Sequence, residues 1–408
     1  MKCRHCSAEM TLPFIDLATA PPSNSYLTVQ QLAGPEKWYP LRVLTCSQCW
    51  LVQTEDYTHF EELFSNDYAY FSSYSTSWLA HAQRYVTDMV DRFDLGPASH
   101  IVEVASNDGY LLQYVRSLGV PCLGIEPTHS TAQAARDKGI TVVEKFFGKA
   151  LADELVAKGL AADLTAANNV LAHVPDINDF VGGFARLLKP NGVATFEFPH
   201  LMQLVAECQF DTIYHEHFSY LSLSAVKTIF EANGLAVFDV HEITTHGGSL
   251  RVFAQRRATG TRATTAAVPA MLARETAAGV TTAEYYSGFQ RRADKIKDDL
   301  LSFLIQAKRD GKTIGGYGAA AKGNTILNFA GVRSDLLPWI VDLNPAKQRK
   351  FLPGSRIPIV DEQHLRVAKP HYVLILPWNL RAEVIAQLAY IREWGGQFVT
   401  AIPAMATQ

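Results

Sequence analysis

The spacing of apolar and polar positions divides the chain into stretches with different secondary structure. Between residues 77 and 93 the apolar side chains recur near helical spacing, which predicts one amphipathic helix. From about residue 100 onward, short apolar runs such as HIVEV, CLGI and GVATFEF alternate with helical segments. Alternation of this kind is typical of a mostly parallel sheet covered by helices. The pattern therefore predicts an α/β chain.

The same organisation returns in the second half of the chain after an interruption. The runs LAVFDVHEI and GSLRVFAQRR predict an antiparallel pair that closes the first sheet, and the Thr- and Ala-rich residues 257–269 predict an exposed connector. A helical pattern then covers about residues 283–309, and strand–helix alternation restarts in KTIGGYGAAAKG, LLPWIVDLN and PHYVLILPW. We expect three units: an N-terminal module (1–66), a central α/β domain (67–256) and a C-terminal Rossmann-like α/β domain (257–408).

Composition and charge narrow the class of protein. The 408 residues suffice for two or three domains, and 48% hydrophobic with 19% charged residues exclude a disordered chain or a coiled coil. A formal net charge of −3 gives no field that attracts nucleic acid or an anionic membrane, so neither is expected as a partner. No apolar run reaches the roughly 18 residues of a membrane helix, and MKCRHCSAEM lacks the apolar core of a signal peptide. We therefore expect a cytoplasmic protein.

Four of the six cysteines form two Cys-x-x-Cys pairs near the N-terminus. Cys3 with Cys6, and Cys46 with Cys49, can supply four thiolates at the spacing of a tetrahedral zinc site. Two unrelated pairs of buried thiols and a redox Cys-x-x-Cys are the alternatives. Redox chemistry is disfavoured because neither pair opens a helix after a strand. Since sulfur would fill all four coordination positions, such a zinc would be structural rather than catalytic.

The first strand–loop–helix unit carries acidic and small residues where a nucleotide ligand binds in such folds. EVASNDG follows an apolar strand and precedes a helix, so its backbone amides can approach a ligand at the helix N-terminus. About twenty residues later Glu126 ends the second strand, where a carboxylate can accept hydrogen bonds from both ribose hydroxyls. The absence of Gly-x-Gly-x-x-Gly disfavours a dinucleotide. The acidic strand, the loop of small residues and the acidic residue after the second strand together indicate S-adenosylmethionine. An ordinary α/β turn with a surface glutamate is the alternative.

The end of the fourth strand adds polar residues to the same edge of the predicted sheet. NNVLAHVPD places Asn169 and His173 where ligands of doubly wound folds bind, so they can face the methyl donor or its acceptor. A histidine at a strand end can equally be a satisfied polar residue. The candidate cofactor-binding residues are Glu103, Ser106, Asn107, Gly109, Glu126, Pro127, Asn168 and Asn169.

Titratable side chains are concentrated in the segment FDTIYHEHFSY, where Tyr214, His215, Glu216 and His217 are consecutive. General acid–base chemistry fits this run, because histidine titrates near neutral pH and a neighbouring carboxylate can orient it. A metal site is disfavoured, since the spacing differs from His-Glu-x-x-His and no distant third ligand is evident. An aromatic-rich loop packed under the sheet is the alternative for one or two of these residues.

A second glycine-rich loop follows the strand KTI. In GGYGAAAKGN, which contains Gly318, backbone amides and a helix dipole form a cradle for a pyrophosphate, and Lys322 adds charge. Asp342 ends the next strand about twenty residues later, at the position of a ribose-binding carboxylate. NAD is the obvious ligand for these features alone, but any nucleoside diphosphate suits the same geometry. The hairpin THGGSLR adds His246 as a candidate substrate contact.

Together these motifs resemble the sugar C-methyltransferases of deoxysugar biosynthesis, which act on nucleotide-linked 4-keto sugars. The similarity rests on the paired Cys-x-x-Cys, EVASNDGYLL, GIEPT, NNVLAHVPD, FEFPHL, FDTIYHEHFSYLS, THGGSLRVF, GYGAAAKGNTILN, VDLNPAKQRKFLPGSRIPI and VLILPWN, which span nearly the whole length. YHEHFSYLS together with GYGAAAKG is its most specific part. The chain departs from the family pattern at Tyr110, where a smaller residue is expected, and at Arg349, where glycine is usual.

The resemblance implies both a fold and a reaction. The fold would comprise an N-terminal zinc-binding module, a central Rossmann-like S-adenosylmethionine methyltransferase domain and a C-terminal Rossmann-like domain that helps to hold the nucleotide sugar. The reaction removes the proton at C3, beside the C4 ketone, and methylates the enolate. His217 would be the base, with Glu216 and Tyr214 around it and His173 and Tyr68 on the substrate side. The residues implied to bind the substrate are His215, His246, Gly318, Lys322 and Asp342.

The same resemblance implies a dTDP- or GDP-linked 4-keto sugar as partner. We expect a monomer, because a closed multi-domain monomer would suffice for the reaction. Two other classes of protein stay open at this point. An NAD-dependent nucleotide-sugar oxidoreductase would use the C-terminal half, although the absent Gly-x-Gly-x-x-Gly disfavours it. A zinc-ribbon adaptor would bind nucleotides or nucleic acid, and the near-neutral charge disfavours the nucleic-acid version. Comparing S-adenosylmethionine with NAD as a stabilising ligand separates these classes.

Overall fold

The computed structural model describes residues 1–56 and 71–408, and in these residues the strands form three sheets. The N-terminal sheet is antiparallel, and its strands in spatial order are β1 (Leu12–Ala20), β2 (Tyr39–Thr45), β3 (Val52–Thr54) and β9 (Ser219–Tyr220). Its last strand comes from the middle of the chain, because Val52 pairs with Tyr220. The N-terminal module is therefore completed by the segment that carries the candidate acid–base residues.

The central sheet has seven strands, five of them parallel. In spatial order they are β10 (Leu235–Ile243), β11 (Ser249–Arg256), β8 (Leu188–Pro199), β7 (Ala162–Asn168), β4 (Ile101–Val104), β5 (Cys122–Ile125) and β6 (Val142–Val143). The predicted antiparallel pair is confirmed as β10 and β11, which closes one edge of this sheet. The helices of this region are α1 (Thr76–Phe93), α2 (Leu112–Ser117), α3 (His129–Asp137), α4 (Lys149–Ala157), α5 (Ile177–Leu187), α6 (Leu201–Ala206) and α7 (Leu223–Ala232).

The predicted helix at residues 77–93 is confirmed as α1, and its ends have clear local causes. The Ser75 hydroxyl accepts a hydrogen bond from the Trp78 amide and caps the first turn. At the other end Asp94 adopts a left-handed conformation, which stops the helix.

The C-terminal sheet has six strands, and only the last is antiparallel to its neighbour. In spatial order they are β14 (Ile359–Val360), β13 (Ile340–Val341), β12 (Ile314–Tyr317), β15 (Tyr372–Ile375), β16 (Gln397–Thr400) and β17 (Ala406–Thr407). The helices here are α8 (Ala267–Ala278), α9 (Ala283–Tyr286), α10 (Phe289–Arg309), α11 (Ala321–Phe329), α12 (Glu362–Ala368) and α13 (Arg381–Gln387). Short 3₁₀ turns cover Gln30–Ala33, Ser72–Tyr74, Leu171–His173, Phe210–Thr212, Thr245–Gly247, Trp378–Leu380 and Ala389–Trp394.

Two local predictions for this region need correction. The helical pattern at 283–309 forms two helices rather than one, because Gly288 has a φ of +83° and breaks the chain direction between α9 and α10. The end of the Thr- and Ala-rich connector is also the start of a helix, since α8 begins at Ala267. The expected unit boundary at residue 66 lies outside the described residues, and the division into three units stays a prediction.

The N-terminal sheet packs against both larger domains. Cys46 and Leu51 share one hydrophobic core with the central domain, whereas Phe14 shares another with the C-terminal domain. There the Phe14 ring stacks on Phe289 with 4.4 Å between centroids. This packing holds the loop that follows β1 between the two domains. Among residues 1–56 and 71–408, no helix is both long and apolar enough to cross a bilayer.

Candidate functional site

The four N-terminal cysteine sulfurs converge on one point. The Sγ atoms of Cys3 and Cys49 are 3.5 Å apart, as are those of Cys6 and Cys46, and all four lie within 4.8 Å of one another. A tetrahedral zinc with bonds of about 2.3 Å to sulfur separates its ligands by about 3.8 Å. The four thiols therefore fit one zinc ion and leave no coordination position for a substrate.

The two cysteine pairs have the same backbone geometry, which explains how distant segments build one site. The Cys3 carbonyl accepts a hydrogen bond from the Ser7 amide at 3.0 Å, and the Cys46 carbonyl accepts one from the Trp50 amide at 2.9 Å. Ser7 and Trp50 both adopt positive φ, at +62° and +60°. Each pair thus forms a tight knuckle whose two sulfurs point to the same side.

The loop after β4 is anchored by the carboxylate that ends β5. One oxygen of Glu126 accepts a hydrogen bond from the Asn107 amide at 3.0 Å, and the other accepts one from the Thr128 amide at 2.9 Å. Burial raises the pKa of Glu126, while these amide bonds act in the opposite direction. The predicted acidic residue therefore fixes the loop that would surround a nucleoside.

A buried carboxylate with few neighbouring donors marks the base of this loop. Glu103 is fully buried in β4; its oxygens make no close hydrogen bond among the described residues, although the Tyr110 hydroxyl acts on the carboxylate and lowers its pKa. Burial, together with the charges of Asp108 and Glu126, raises the pKa of Glu103 well above its usual range. The Asn168 amide group at the end of β7 likewise makes no close hydrogen bond within the described residues, and Tyr110 is its polar neighbour too. Such unsatisfied groups are costly, so they fit a ligand that donates hydrogen bonds or carries positive charge.

The hydrogen bonds of His217 determine which of its nitrogens is free to accept a proton. Nδ1 lies 2.8 Å from the Thr212 carbonyl oxygen, which can only accept, so Nδ1 carries the hydrogen. Nε2 therefore has the lone pair, and the Tyr214 hydroxyl lies 2.7 Å from it. The His173 ring packs edge-on at 4.5 Å between centroids. Burial and the neighbouring His173 lower the pKa of His217 well below its usual range, which keeps the imidazole neutral.

A cation from the C-terminal domain lies beside this histidine cluster. Lys322 donates to the Asn379 side-chain oxygen at 2.7 Å and lies 4.6 Å above the centre of the Trp378 ring. Its charge contributes to the lowered pKa of both His217 and His246, and burial lowers the pKa of Lys322 itself. The two domains therefore meet at the candidate acid–base residues.

The same interface holds a buried carboxylate. Asp211 accepts a hydrogen bond from the Trp378 indole at 2.7 Å, and burial raises the pKa of Asp211 to about 6. Sequence reasoning missed Asp211, Trp378 and Asn379, because nothing in their local pattern connects residues so far apart in the chain.

The loop after β12 is anchored in the same way as the first loop. Asp342 accepts hydrogen bonds from the Ala319 and Asn344 amides, each at 2.8 Å. Gly318 has a φ of +87°, and a Cβ there would lie 2.5 Å from Pro377. Lys347 donates to the Ala319 carbonyl at 2.9 Å and lies 3.6 Å from the Asp342 carboxylate. The backbone of this loop can therefore come close to a bound ligand.

Three further predicted residues lie on other sides of the cluster. Glu216 accepts hydrogen bonds from Asn24 of the N-terminal module. His215 is buried, and its Nε2 lies 3.1 Å from the Pro40 carbonyl of the same module. His246 Nε2 is 3.2 Å from the Asn169 side-chain nitrogen. Their roles toward a substrate stay predictions, and Tyr68 lies outside the described residues.

Sequence reasoning also missed a buried ion-pair cluster next to His246. Glu197, which lies in FEFPH, is fully buried between His81 at 2.8 Å and Arg251 at 2.6 Å. Despite burial, these two partners lower the pKa of Glu197. Trp78 stacks on His81 with 4.9 Å between centroids and contacts His246 edge-on at 5.3 Å. Through Trp78, this cluster supports His246.

Comparison with known proteins agrees with this architecture. A zinc binding domain model matches residues 3–64, a methyltransferase domain model matches 78–240, and a C-methyltransferase C-terminal domain model matches 244–403. The four cysteines are thus the ligand set of a structural zinc ion, and the zinc module, methyltransferase domain and C-terminal domain define an S-adenosylmethionine-dependent C-methyltransferase.

A curated relative shows the family. The C-methyltransferase NovU of Streptomyces niveus is 34% identical over 402 residues, covering 98% of this chain and 95% of its own. The chain belongs to the C-methyltransferase family.

Solved structures similar to part of the chain include other methyltransferases. Magnesium protoporphyrin IX methyltransferase from Synechocystis PCC 6803, with bound SAH, is 14% identical over 44% of this chain and 83% of its own, at a TM-score of 0.36. An S-adenosylmethionine-dependent methyltransferase from Mesorhizobium loti is 16% identical over 45% of this chain and 98% of its own, at a TM-score of 0.34.

Proposed function

We propose that this C-methyltransferase deprotonates C3 of a nucleotide-linked 4-keto deoxysugar and methylates the resulting enolate. The observation that carries the proposal is the state of His217. Its Nε2 has the lone pair and its pKa is lowered, so it is a neutral base, and it lies where the two nucleotide-type domains meet. A neutral imidazole can accept a proton at working pH without a metal ion.

The proton and electron movements follow from this geometry. Nε2 of His217 takes the C3 proton, and the C–H electron pair becomes the enolate whose charge lies on O4. A hydroxyl or ammonium donor must face O4, because the C3 proton is acidic only if that oxygen is stabilised. Tyr214, whose hydroxyl lies 2.7 Å from Nε2, is the donor that we assign to this role.

The methyl donor would occupy the loop after β4. S-adenosylmethionine supplies an electrophilic methyl group, which C3 takes as the sulfur–carbon bond breaks and S-adenosylhomocysteine leaves. Glu103 would bind the ammonium group of its methionine part, and Glu126 its ribose hydroxyls. Because the Glu103 carboxylate is buried, its negative charge is costly, and a bound cationic ligand would offset that cost.

The nucleotide diphosphate would bind the loop after β12. Gly318 allows the backbone to come close, and Lys322 supplies a positive charge. The near-neutral overall charge of the chain makes this local cation the main attraction for the diphosphate. A dTDP- or GDP-linked sugar fits these features, and the enzyme would act as a monomer.

Hydrogen exchange at C3 tests the proposal directly. We would incubate the enzyme in deuterated water with thymidine- and guanosine-linked 4-keto sugars, together with S-adenosylhomocysteine or S-adenosylmethionine. The expected result is deuterium at C3 with the first and a C-methylated sugar with the second. Absence of both exchange and methylation for every sugar would overturn the proposed function.

A further inference from the structure

A loop of the zinc module reaches the candidate active site. Residues 21–27, here called the bridge loop, follow β1 and contact the C-terminal domain at three places. The Ser23 carbonyl accepts from the Asn324 side chain at 2.7 Å, the Tyr26 hydroxyl donates to the Ala319 carbonyl at 2.6 Å, and Leu27 pairs with Phe351. These contacts fix the bridge loop on the C-terminal domain, and one of them, at Ala319, lies in the βα loop that would hold the nucleotide.

Asn24, at the centre of the bridge loop, faces the acid–base segment. Its side-chain nitrogen lies 2.8 Å from each of the two carboxylate oxygens of Glu216. Glu216 is buried, with 2% of its surface exposed, and it directly precedes His217 in the chain. A hydrogen bond to an ionised acceptor is stronger than one between neutral groups, so this contact restricts the carboxylate orientation.

The chemical nature of the donor matters for what Glu216 can do. An amide is neutral, so Asn24 orients the carboxylate while leaving its negative charge uncompensated by that contact. The bridge loop is already held by Ser23, Tyr26 and Leu27, so the Asn24 contact is not required to dock it. Asn24 is therefore placed to orient the Glu216 carboxylate.

We propose that Asn24 is a positioning residue, which fixes the carboxylate of Glu216, the residue that directly precedes the base His217, and so makes the zinc module part of the active site. The inference rests on the proposed function, in which Glu216 acts on the sugar. Without the two contacts from Asn24 the carboxylate would be held less firmly, and the fraction of correctly arranged enzyme would fall.

Rate measurements on two variants test the proposal. Asn24→Ala should lower the kcat for C3 exchange and methylation about tenfold, and Asn24→Asp, which places two carboxylates together, should lower it further. The dissociation constant of S-adenosylmethionine should stay within about twofold, because the cofactor loop is not touched. Ser25→Ala, in the same loop but exposed, is the matched control and should behave as wild type. Wild-type kcat in both Asn24 variants would overturn the proposal.

The pair Asn24→Asp with Glu216→Gln separates contact from charge. The double variant reverses donor and acceptor, so its melting temperature should recover above that of Asn24→Asp alone. Its kcat should stay as low as that of Glu216→Gln, because the carboxylate is missing. Full recovery of kcat would show that only the contact matters and would overturn the positioning role.

Thermal unfolding without any sugar keeps this test independent of the substrate. The shifts caused by Asn24→Ala and Glu216→Gln should not add, and the double variant should melt within about 1 °C of the less stable single variant. Additive shifts would overturn the Asn24 proposal whatever the substrate is. If wild-type enzyme acts on no 4-keto sugar while the shifts are non-additive, the proposed function fails and the contact between the two residues stands.

Discussion

The loops after β4 and β12 have the same anchor and opposite charge. In both, the carboxylate that ends the next strand accepts two backbone amides, one from the loop itself and one from two residues downstream. Glu126 and Asp342 therefore do the same structural work in the central and C-terminal domains. The anchor fixes the loop, and it leaves the choice of ligand to other residues.

That choice depends on what surrounds each anchor. The central loop contains the buried Glu103, and the lysine beside this loop, Lys138, donates to the Asp108 carbonyl at 2.7 Å and is paired with the Asp108 carboxylate at 3.5 Å. The C-terminal loop has glycines at the corresponding strand, in IGGY, and brings Lys322 and Lys347 close. Charges interact more strongly when they are buried. Glu103 on β4 therefore suffices to favour a cation in the central domain, whereas glycines on β12 leave Lys322 to favour an anion in the C-terminal domain. A duplicated geometry can thus serve two ligands of opposite charge.

The largest effect is expected for His217, which lies between the two loops and belongs to neither of them. His217→Asn should lower kcat about 10²–10⁴-fold, because it removes the base, while both ligands still bind. Turnover and the two dissociation constants are the measurements. His129→Asn, on an exposed histidine of α3, is the control. A kcat within tenfold of wild type would remove His217 as the base.

Glu103→Gln should weaken S-adenosylmethionine about thirtyfold and leave the nucleotide sugar unchanged. The reason is the loss of a charged hydrogen bond in a buried place, worth about 2 kcal/mol. Titration calorimetry with each ligand measures both sides of the comparison, and Glu154→Gln on the exposed surface is the matched control. Equal weakening of the two ligands would contradict the division of charge between the loops.

Lys322→Gln should give the opposite pattern, with the sugar nucleotide bound about tenfold more weakly and S-adenosylmethionine unaffected. The exposed Lys295→Gln controls for a change in overall charge. Competition of each ligand in a thermal-shift assay suffices as readout. Unchanged affinity for the nucleotide sugar would contradict the assignment of Lys322 to the diphosphate.

The smallest expected effect is a difference in pH dependence. The pKa of Glu103 is raised, so on acidification this group takes up a proton before an ordinary carboxyl group does. A cationic ligand needs the carboxylate, and its affinity should therefore fall a few-fold per pH unit as pH drops through that raised pKa. Glu103→Gln should abolish this dependence. A pH-independent affinity in the wild type would indicate that Glu103 does not contact the cation.

Local patterns predicted most of what lies within one structural unit. Helical spacing located α1, and alternation located β10 and β11, because these elements depend on their own side chains. Cysteine spacing predicted the zinc cluster, since each knuckle is built within a few residues. Arg349, expected to be glycine, has a φ of +64°, which explains why that position favours glycine.

Contacts between units could not be predicted in this way. Asn24 meets Glu216 across 192 residues, and Asp211 meets Trp378 across 167. No period or spacing in the sequence brings such pairs together, because their meeting depends on how three sheets pack. The single helix expected at 283–309 failed for a local reason instead, since the helical pattern hid the effect of Gly288.

The strand β9 has a consequence for how the protein is made. The N-terminal knuckles and β3 are synthesised before β9, but Thr54 of β3 donates to the carbonyl of His217, which follows 163 residues later. At typical translation rates this separation corresponds to a wait of roughly 10–30 s. During that time the edge of β3 has no neighbour and can pair with another nascent chain. Ribosome-bound chains that end before residue 219 should therefore depend most on chaperones.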